Sequence, residues 1–322
     1  MSKVKNYLSL VKFSHTIFAM PFALIGFALG MKAIFLDFDE IDFGPLYKNG
    51  IYTSVLNFEL IEYAHYKISP NWKGIIMLFI LVLICMVTAR SAAMAFNRYL
   101  DRQFDAKNPR TAIREIPKGI ISANNALRFV IMNCIIFITA TFFINQLCFF
   151  LSPIALFVIL FYSYTKRFTA LCHLVLGVGL SLAPIGAYLA VTGSFALLPL
   201  FFSLAVIFWV SGFDIIFALQ DVDFDQSQKL YSIPSVLGVS KALWVSEFLH
   251  VASAICIVAA GFYGGFHWLY WMGVLVFAGM LIYQHSIVKP NDLSKVNVAF
   301  MTANGIASVV FAVFVIADLS LL

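Results

Sequence analysis

The chain has 322 residues, 62% of them hydrophobic and only 11% charged, with a mean hydropathy of +0.93. A soluble domain carries about 25% charge, and no soluble fold of this length has interior enough to hide so much apolar surface. The net charge of +5 is spread between apolar runs rather than gathered on one face. That excludes a nucleic-acid surface and leaves the lipid bilayer as the environment.

In chain order, a basic N-terminal stretch from Met1 to Lys12 precedes the first apolar run, which lacks a small-residue cleavage site and so reads as a retained span rather than a signal peptide. Nine spans are predicted, at about 14–36, 73–96, 126–146, 148–165, 170–191, 196–217, 242–262, 266–287 and 296–318. The expected architecture is all-α, a single transmembrane domain over residues 1–322. Between the third and fourth spans Asn145 and Gln146 mark a tight turn, and Pro153 falls just inside the next helix. The outer loop at 37–72 is long, acidic and aromatic, fitting either a lid resting on the membrane or an ordinary solvated loop. The five cysteines (Cys85, Cys134, Cys148, Cys172, Cys256) all lie in apolar segments without CxxC spacing, as small core hydrophobes do.

With the N-terminus inside, all but Lys32, Lys48, Lys67 and Lys73 of the 21 Lys and Arg fall on the cytoplasmic side. This asymmetry sets the orientation and gives a plasma (inner) membrane protein with its polar loops in the cytoplasm.

Two of those loops carry most of the unusual residues. After the second span come Asn97, Asp101 and Asp105, spaced i, i+4, i+8. Four residues turn a helix by about 400°, so the three oxygens share one face. Hard oxygens in such a row suit Mg²⁺, which takes its remaining ligands from water and substrate phosphate. After the sixth span come Asp214, Asp221 and Asp225, at i, i+7, i+11. Asp214 lies inside the apolar run, where an ionisable group is a functional candidate. Two facing carboxylate rows repel unless divalent cations and a polyanion come between them. Arg98, Arg102, Lys107, Arg110, Lys166 and Arg167 stand nearby to take diphosphate oxygens. Tyr162 and Lys166 share a helix face at i, i+4; the pair suits a leaving phosphate or an interfacial anchor.

These residues resemble the UbiA superfamily of intramembrane prenyltransferases, through Asn97-x₃-Asp101-x₃-Asp105, Asp214-x₆-Asp221-x₃-Asp225 and Tyr162-x₃-Lys166. The runs Lys12–Phe22 and Arg90–Arg98 resemble the bacterial 4-hydroxybenzoate polyprenyltransferase-like branch, part of which is assigned to menaquinone synthesis with a dihydroxynaphthoate acceptor. The long 37–72 loop departs from that pattern. The resemblance implies nine helices around a central cavity, a cytoplasmic cap built from the loops after spans two and six, and a lateral opening for an isoprenoid tail.

The expected activity is Mg²⁺-dependent transfer of a polyprenyl group from an allylic diphosphate to a ring carbon of an aromatic acid, in quinone biosynthesis. Asn97, Asp101, Asp105, Asp221 and Asp225 are the expected metal ligands. Arg98, Arg102, Lys166 and Tyr162 are expected on the diphosphate, and Asp214, Lys166 and Tyr162 as catalytic groups. Lys12 and His15 are candidates for the acceptor carboxylate. No nucleic acid or obligate protein partner is expected. Alternatives are the same chemistry on dihydroxynaphthoate, homogentisate or a lipid acceptor, and, in another class, a transporter. A transporter would place its carboxylates at mid-membrane on inverted repeats, whereas these cluster at one interface.

Overall fold

A computed structural model of the chain describes residues 3–12, 19–36, 61–64 and 67–321. His15 and most of the 37–72 loop lie outside the described residues. The helices are α1 (Lys3–Leu10), α2 (Met20–Leu36), α3 (Trp72–Leu100), α4 (Arg102–Lys107), α5 (Ala123–Ile144), α6 (Gln146–Thr165), α7 (Cys172–Thr192), α8 (Leu197–Ala218), α9 (Val222–Ser227), α10 (Ile233–Leu237), α11 (Val239–Tyr263), α12 (Trp268–Ile287) and α13 (Asn304–Leu319). A 3₁₀ turn at Leu219–Asp221 precedes α9, and a π-helical turn at Val298–Ala303 opens α13. Strands β1 (Ile61–Ala64) and β2 (Lys67–Pro70) pair antiparallel before α3, and the described architecture is otherwise helical, as expected.

Eight helices among the described residues are long and apolar enough to cross a bilayer, and α2 is a shorter apolar helix that completes the bundle. The predicted spans therefore coincide with α2, α3, α5–α8, α11, α12 and the π turn with α13. Large apolar side chains such as Phe150, Phe157, Trp244 and Phe262 point outward and are mostly exposed, the pattern of a surface solvated by lipid. The basic N-terminal stretch contains the separate short helix α1, which packs on α3.

Helix α8 is the central element, packed between α7 and α11. Its Trp209 sits at 0% exposure in a cluster with Phe22, Phe202, Tyr270, Phe277 and Phe311. In lipid a buried polar group needs an internal partner, and this core supplies them. Trp209 Nε1 donates to Asn304 Oδ1 at 2.8 Å, and Gln284 Nε2 donates to the same oxygen at 2.9 Å. Asn304 Nδ2 in turn donates to the Ala299 and Phe300 carbonyls, which the π turn turns toward it.

Pro153 falls in the eighth position of α6, deeper than the first turn suggested by the sequence. It removes the N–H that would serve the Phe149 carbonyl; Ser152 Oγ donates there instead, at 2.8 Å. Asn145 starts α6 by accepting from the Cys148 N–H, while its Nδ2 ties the turn to the Leu189 carbonyl. At the same end, fully buried Asp318 of α13 accepts from the His267 and Tyr270 N–H groups and so caps α12 from a distance. This is a structural use of an intramembrane carboxylate, far from the two acidic rows.

Helix α2 crosses α7 at Gly26 and Gly30, one turn apart, where small residues let backbones approach. A Cβ at Gly26 would overlap the Pro184 carbonyl, and one at Gly30 would press on Val191. Gly26→Val should therefore lower the unfolding stability of the detergent-solubilised protein by about 1–3 kcal/mol or more, as overpacking does; an unchanged denaturation midpoint would contradict the close approach.

Candidate active site

All the loops that follow α3, α6 and α8 emerge at the same end of the bundle. The first acidic row begins on the last turn of α3 and continues past it. Asp101 ends α3 and precedes α4 with φ −87° and ψ 5°, yet the Asp101 N–H still donates to the Asn97 carbonyl and the Asp105 N–H to the Asp101 carbonyl, each at 2.8 Å. The four-residue spacing thus survives the break, and Asn97, Asp101 and Asp105 stay on one side. The second row is also interrupted, because the backbone tightens into the 3₁₀ turn at Leu219–Asp221 before α9 carries Asp225.

Both rows face one cavity of about 260 Å³. Asn97, Asp101, Asp105, Asp214, Asp221, Asp225, Lys12, Arg98, Tyr162 and Lys166 all line it, so the structure brings together nearly every residue singled out in the sequence. Among the described residues Lys107, whose Nζ donates to Gln228, stays outside it, and so does Arg102. Its Nη1 donates to its neighbour's Tyr99 carbonyl at 2.6 Å and its guanidinium lies over the Tyr99 ring, 4.6 Å from the centroid, which holds it away from the cavity.

Four carboxylates of the two rows each have their own cation. Arg167 Nη2 lies 2.9 Å from Asp101 Oδ1, Arg114 Nη1 2.8 Å from Asp105 Oδ1, and Lys166 Nζ 2.7 Å from Asp225 Oδ1; Arg110 pairs with Asp221 through two nitrogens. Arg98, also expected on a diphosphate, is buried against Glu115. The segment between α4 and α5 supplies Arg110 to the second row and Arg114 to the first, and so bridges them. Asn108 adds a hydrogen bond to Asp221 at 3.0 Å. The sequence showed the basic residues but not their one-to-one matching; Arg114 and Glu115 in particular lie in a loop without a periodic signal.

Burial raises the Asp101 carboxyl to about 6, with Arg167 opposing the shift and Asp105 adding to it. Burial likewise lowers the Lys12 ammonium to about 8, helped by the nearby Arg114 and Arg98.

The donor chemistry suits a divalent cation that arrives with a phosphate. Among the described residues, no three His, Cys, Asp or Glu side chains converge as a ready ligand cage. Mg²⁺ needs none, since it is commonly held by one or two carboxylates plus substrate phosphates and water. Asp225 is fully buried, and although Lys166 is near, its Oδ1 takes no properly aligned hydrogen bond. A hard carboxylate at the cavity wall, held by an ammonium that could turn to a phosphate, is the kind of ligand such an ion uses.

Two further residues stand out only in three dimensions. Arg90 of α3 lies inside the span, lines the cavity, has an unbonded Nε, and forms no ion pair among the described residues. His173 of α7 is buried against Asp214, with Nδ1 2.7 Å from Asp214 Oδ2. An apolar cavity of about 360 Å³ between α3, α6 and α7 meets the charged one at Arg90, Met94, Tyr162, Leu176 and Leu180.

A multi-pass helical membrane protein with a doubly acidic, cation-matched cavity at one end, joined to an apolar cavity within the bilayer, is the form of an intramembrane enzyme acting on a substrate part anionic and part lipid. The chain belongs to the UbiA prenyltransferase family, whose profile matches residues 63–306. It is 29% identical over 223 residues to a 4-hydroxybenzoate octaprenyltransferase of Tolumonas auensis, covering 69% of this chain and 78% of the relative. Among solved structures, the apo UbiA homologue of Aeropyrum pernix K1 matches with a TM-score of 0.71 at 25% identity, covering 95% of this chain and 97% of that one. The Archaeoglobus fulgidus homologue bound to DMAPP and Mg²⁺ shares the fold, with a TM-score of 0.63 at 18% identity and coverage of 98% and 100%.

If the cavity takes a metal-bound anion through Asp101, protons compete for that carboxylate. Binding of geranyl diphosphate with Mg²⁺ should weaken as pH falls through about 6, and higher Mg²⁺ should move the midpoint lower. A pH-independent affinity between 5 and 7.5, measured by isothermal titration, would contradict the assignment.

Proposed function

We propose that the chain transfers a polyprenyl group from an allylic diphosphate to a ring carbon of an aromatic acid of the 4-hydroxybenzoate type, in the biosynthesis of quinones. The observation that carries this reading is the meeting of the two cavities: carboxylates and cations gather at one end, and apolar walls run on from Tyr162 and Arg90 into the bilayer. A diphosphate fits the first cavity and an isoprenoid chain the second. The excess of Lys and Arg in these loops supports a cytoplasmic cavity and N-terminus.

Held by Asn97, Asp101 and Asp105 on one side and Asp221 and Asp225 on the other, Mg²⁺ would neutralise the charge that grows on the diphosphate as the allylic C–O bond breaks. The protein's own residues do the rest. Lys166, Tyr162 and Arg98 line the cavity where their N–H and O–H groups can donate to the departing diphosphate. The bonding electrons leave with it, the acceptor's ring carbon bonds to the allylic carbon, and the ring proton is lost. Asp214, next to the apolar wall, orients the acceptor and takes a proton from it. Arg90, a cation without a carboxylate partner among the described residues, holds the acceptor's carboxylate, and Lys12 adds charge at the rim. A 1,4-dihydroxynaphthoate-type acceptor presents the same carboxylate, so a panel of aromatic acids assayed with geranyl diphosphate and Mg²⁺ names the acceptor by product mass; no product from any member would overturn the reading.

Asp101→Ala should abolish transfer while the protein still folds into membranes, and full Mg²⁺-dependent activity in that variant would defeat the metal assignment. Arg90→Gln should raise the KM for a carboxylate-bearing acceptor by about 10- to 100-fold, the value of a lost charge-assisted hydrogen bond, with the KM for the prenyl diphosphate little changed. Equal loss toward both substrates would place Arg90 elsewhere in the reaction.

A further inference from the structure

We infer that His173 is a positioning residue for Asp214 and links it to Asp225 of the same acidic row; the inference rests on the proposed role of Asp214. His173 stands at the first turn of α7, 2% exposed, and its ring is held at both nitrogens. The Ile233 N–H donates to Nε2 at 3.3 Å. That bond requires an unprotonated Nε2, so in the neutral ring the proton sits on Nδ1, where it donates to Asp214 Oδ2 at 2.7 Å. The two contacts therefore select one tautomer, and the tautomer aims a donor at Asp214.

Among the described residues nothing else bonds to Asp214, whose side chain remains 25% exposed and lines the cavity. One carboxylate oxygen is thus fixed and the other is left for a ligand, as when a base is oriented by a third group.

The other end of the contact reaches the diphosphate side. Ile233 opens α10, and its neighbour Ser232, itself fully buried, donates from Oγ to Asp225 Oδ2 at 3.1 Å. Tyr231, one residue earlier, donates its N–H to the Lys166 carbonyl at 2.7 Å. A short chain of contacts thus runs from Asp214 through His173 to the segment 231–233, and from there to Asp225 and Lys166. The Ser211 hydroxyl donates to the His173 carbonyl at 3.1 Å and fixes α7 against α8 at this level.

Two near-isosteric replacements separate the ring's two contacts. Asn places its amide nitrogen near the position of Nδ1 and can keep the bond to Asp214; Gln reaches toward the position of Nε2 and can keep only the contact with Ile233. Kinetics of purified His173→Asn, His173→Gln, His173→Ala and Asp214→Asn, with geranyl diphosphate, Mg²⁺ and the acceptor found in the panel, test the inference, each variant first checked for an unchanged denaturation midpoint. His173→Asn should retain kcat within about threefold. His173→Gln and His173→Ala should lose tenfold or more in kcat, with the prenyl diphosphate KM within twofold, and the His173→Ala/Asp214→Asn double variant should be no slower than Asp214→Asn alone. Equal activity of the Asn and Gln variants, or a double variant slowed by the product of the single losses, would overturn the positioning role. Full activity of Asp214→Asn would instead overturn the role given to Asp214, and the inference with it. Should His173→Ala fail to fold, the comparison of Asn with Gln still decides.

Discussion

The structure depends on a balance of charge at one end of a membrane bundle. Four carboxylates on two rows crowd around one cavity, and each is matched by one basic side chain: Asp101 by Arg167, Asp105 by Arg114, Asp221 by Arg110 and Asp225 by Lys166. Carboxylates gathered at a partly desolvated site disfavour one another's ionised form; at Asp101 burial is the main cause of the raised carboxyl, with Asp105 adding to it and Arg167 opposing. The same arrangement prepares both halves of the ligand's recognition. Carboxylates are placed to meet a divalent cation, and the cations that now hold them are placed to meet phosphate oxygens.

The rest of the bundle serves this end by keeping the rows at fixed separation. Helix α8 carries one row and is anchored along its length: by Trp209 to Asn304, by the Ser246 hydroxyl to the Gly212 carbonyl, and by the Ser253 hydroxyl to the Ala205 carbonyl. Helix α3 carries the other row and reaches α8 through the segment between α4 and α5, whose Asn108 and Arg110 bind Asp221 while its Arg114 binds Asp105. With lipid on the outside and no hydrophobic force between helices, such hydrogen bonds and the small-residue crossing at Gly26 and Gly30 take over the work of holding the bundle.

Much of this was legible in the chain itself, for a physical reason. Spans of about 20 apolar residues are forced by the thickness of the bilayer, so nine of them stand out, and acidic residues at helical spacing stand out against so apolar a background. The rows survive in the structure although each is broken, at Asp101 and at Leu219–Asp221: backbone hydrogen bonding carries through the first break, and Asp221, which ends the 3₁₀ turn, still lines the cavity with Asp225. What was not legible depends on packing between distant segments. His173 lies 41 residues from Asp214, and no local pattern joins them. Arg90 falls inside a predicted span, but that it lacks a carboxylate partner among the described residues emerges only in three dimensions. Arg102, with the same spacing credentials as its neighbours, is drawn off by Tyr99.

The central claim is that the two rows hold one ligand jointly. It is tested most directly by a double-mutant cycle on Asp101→Ala and Asp221→Ala, reading the affinity of the detergent-solubilised protein for a non-hydrolysable thiodiphosphate analogue of geranyl diphosphate at saturating Mg²⁺. Shared ligation predicts strong coupling, with the double variant losing little more affinity than the worse single one. Losses that simply multiply would mean that the rows act independently and would contradict the account.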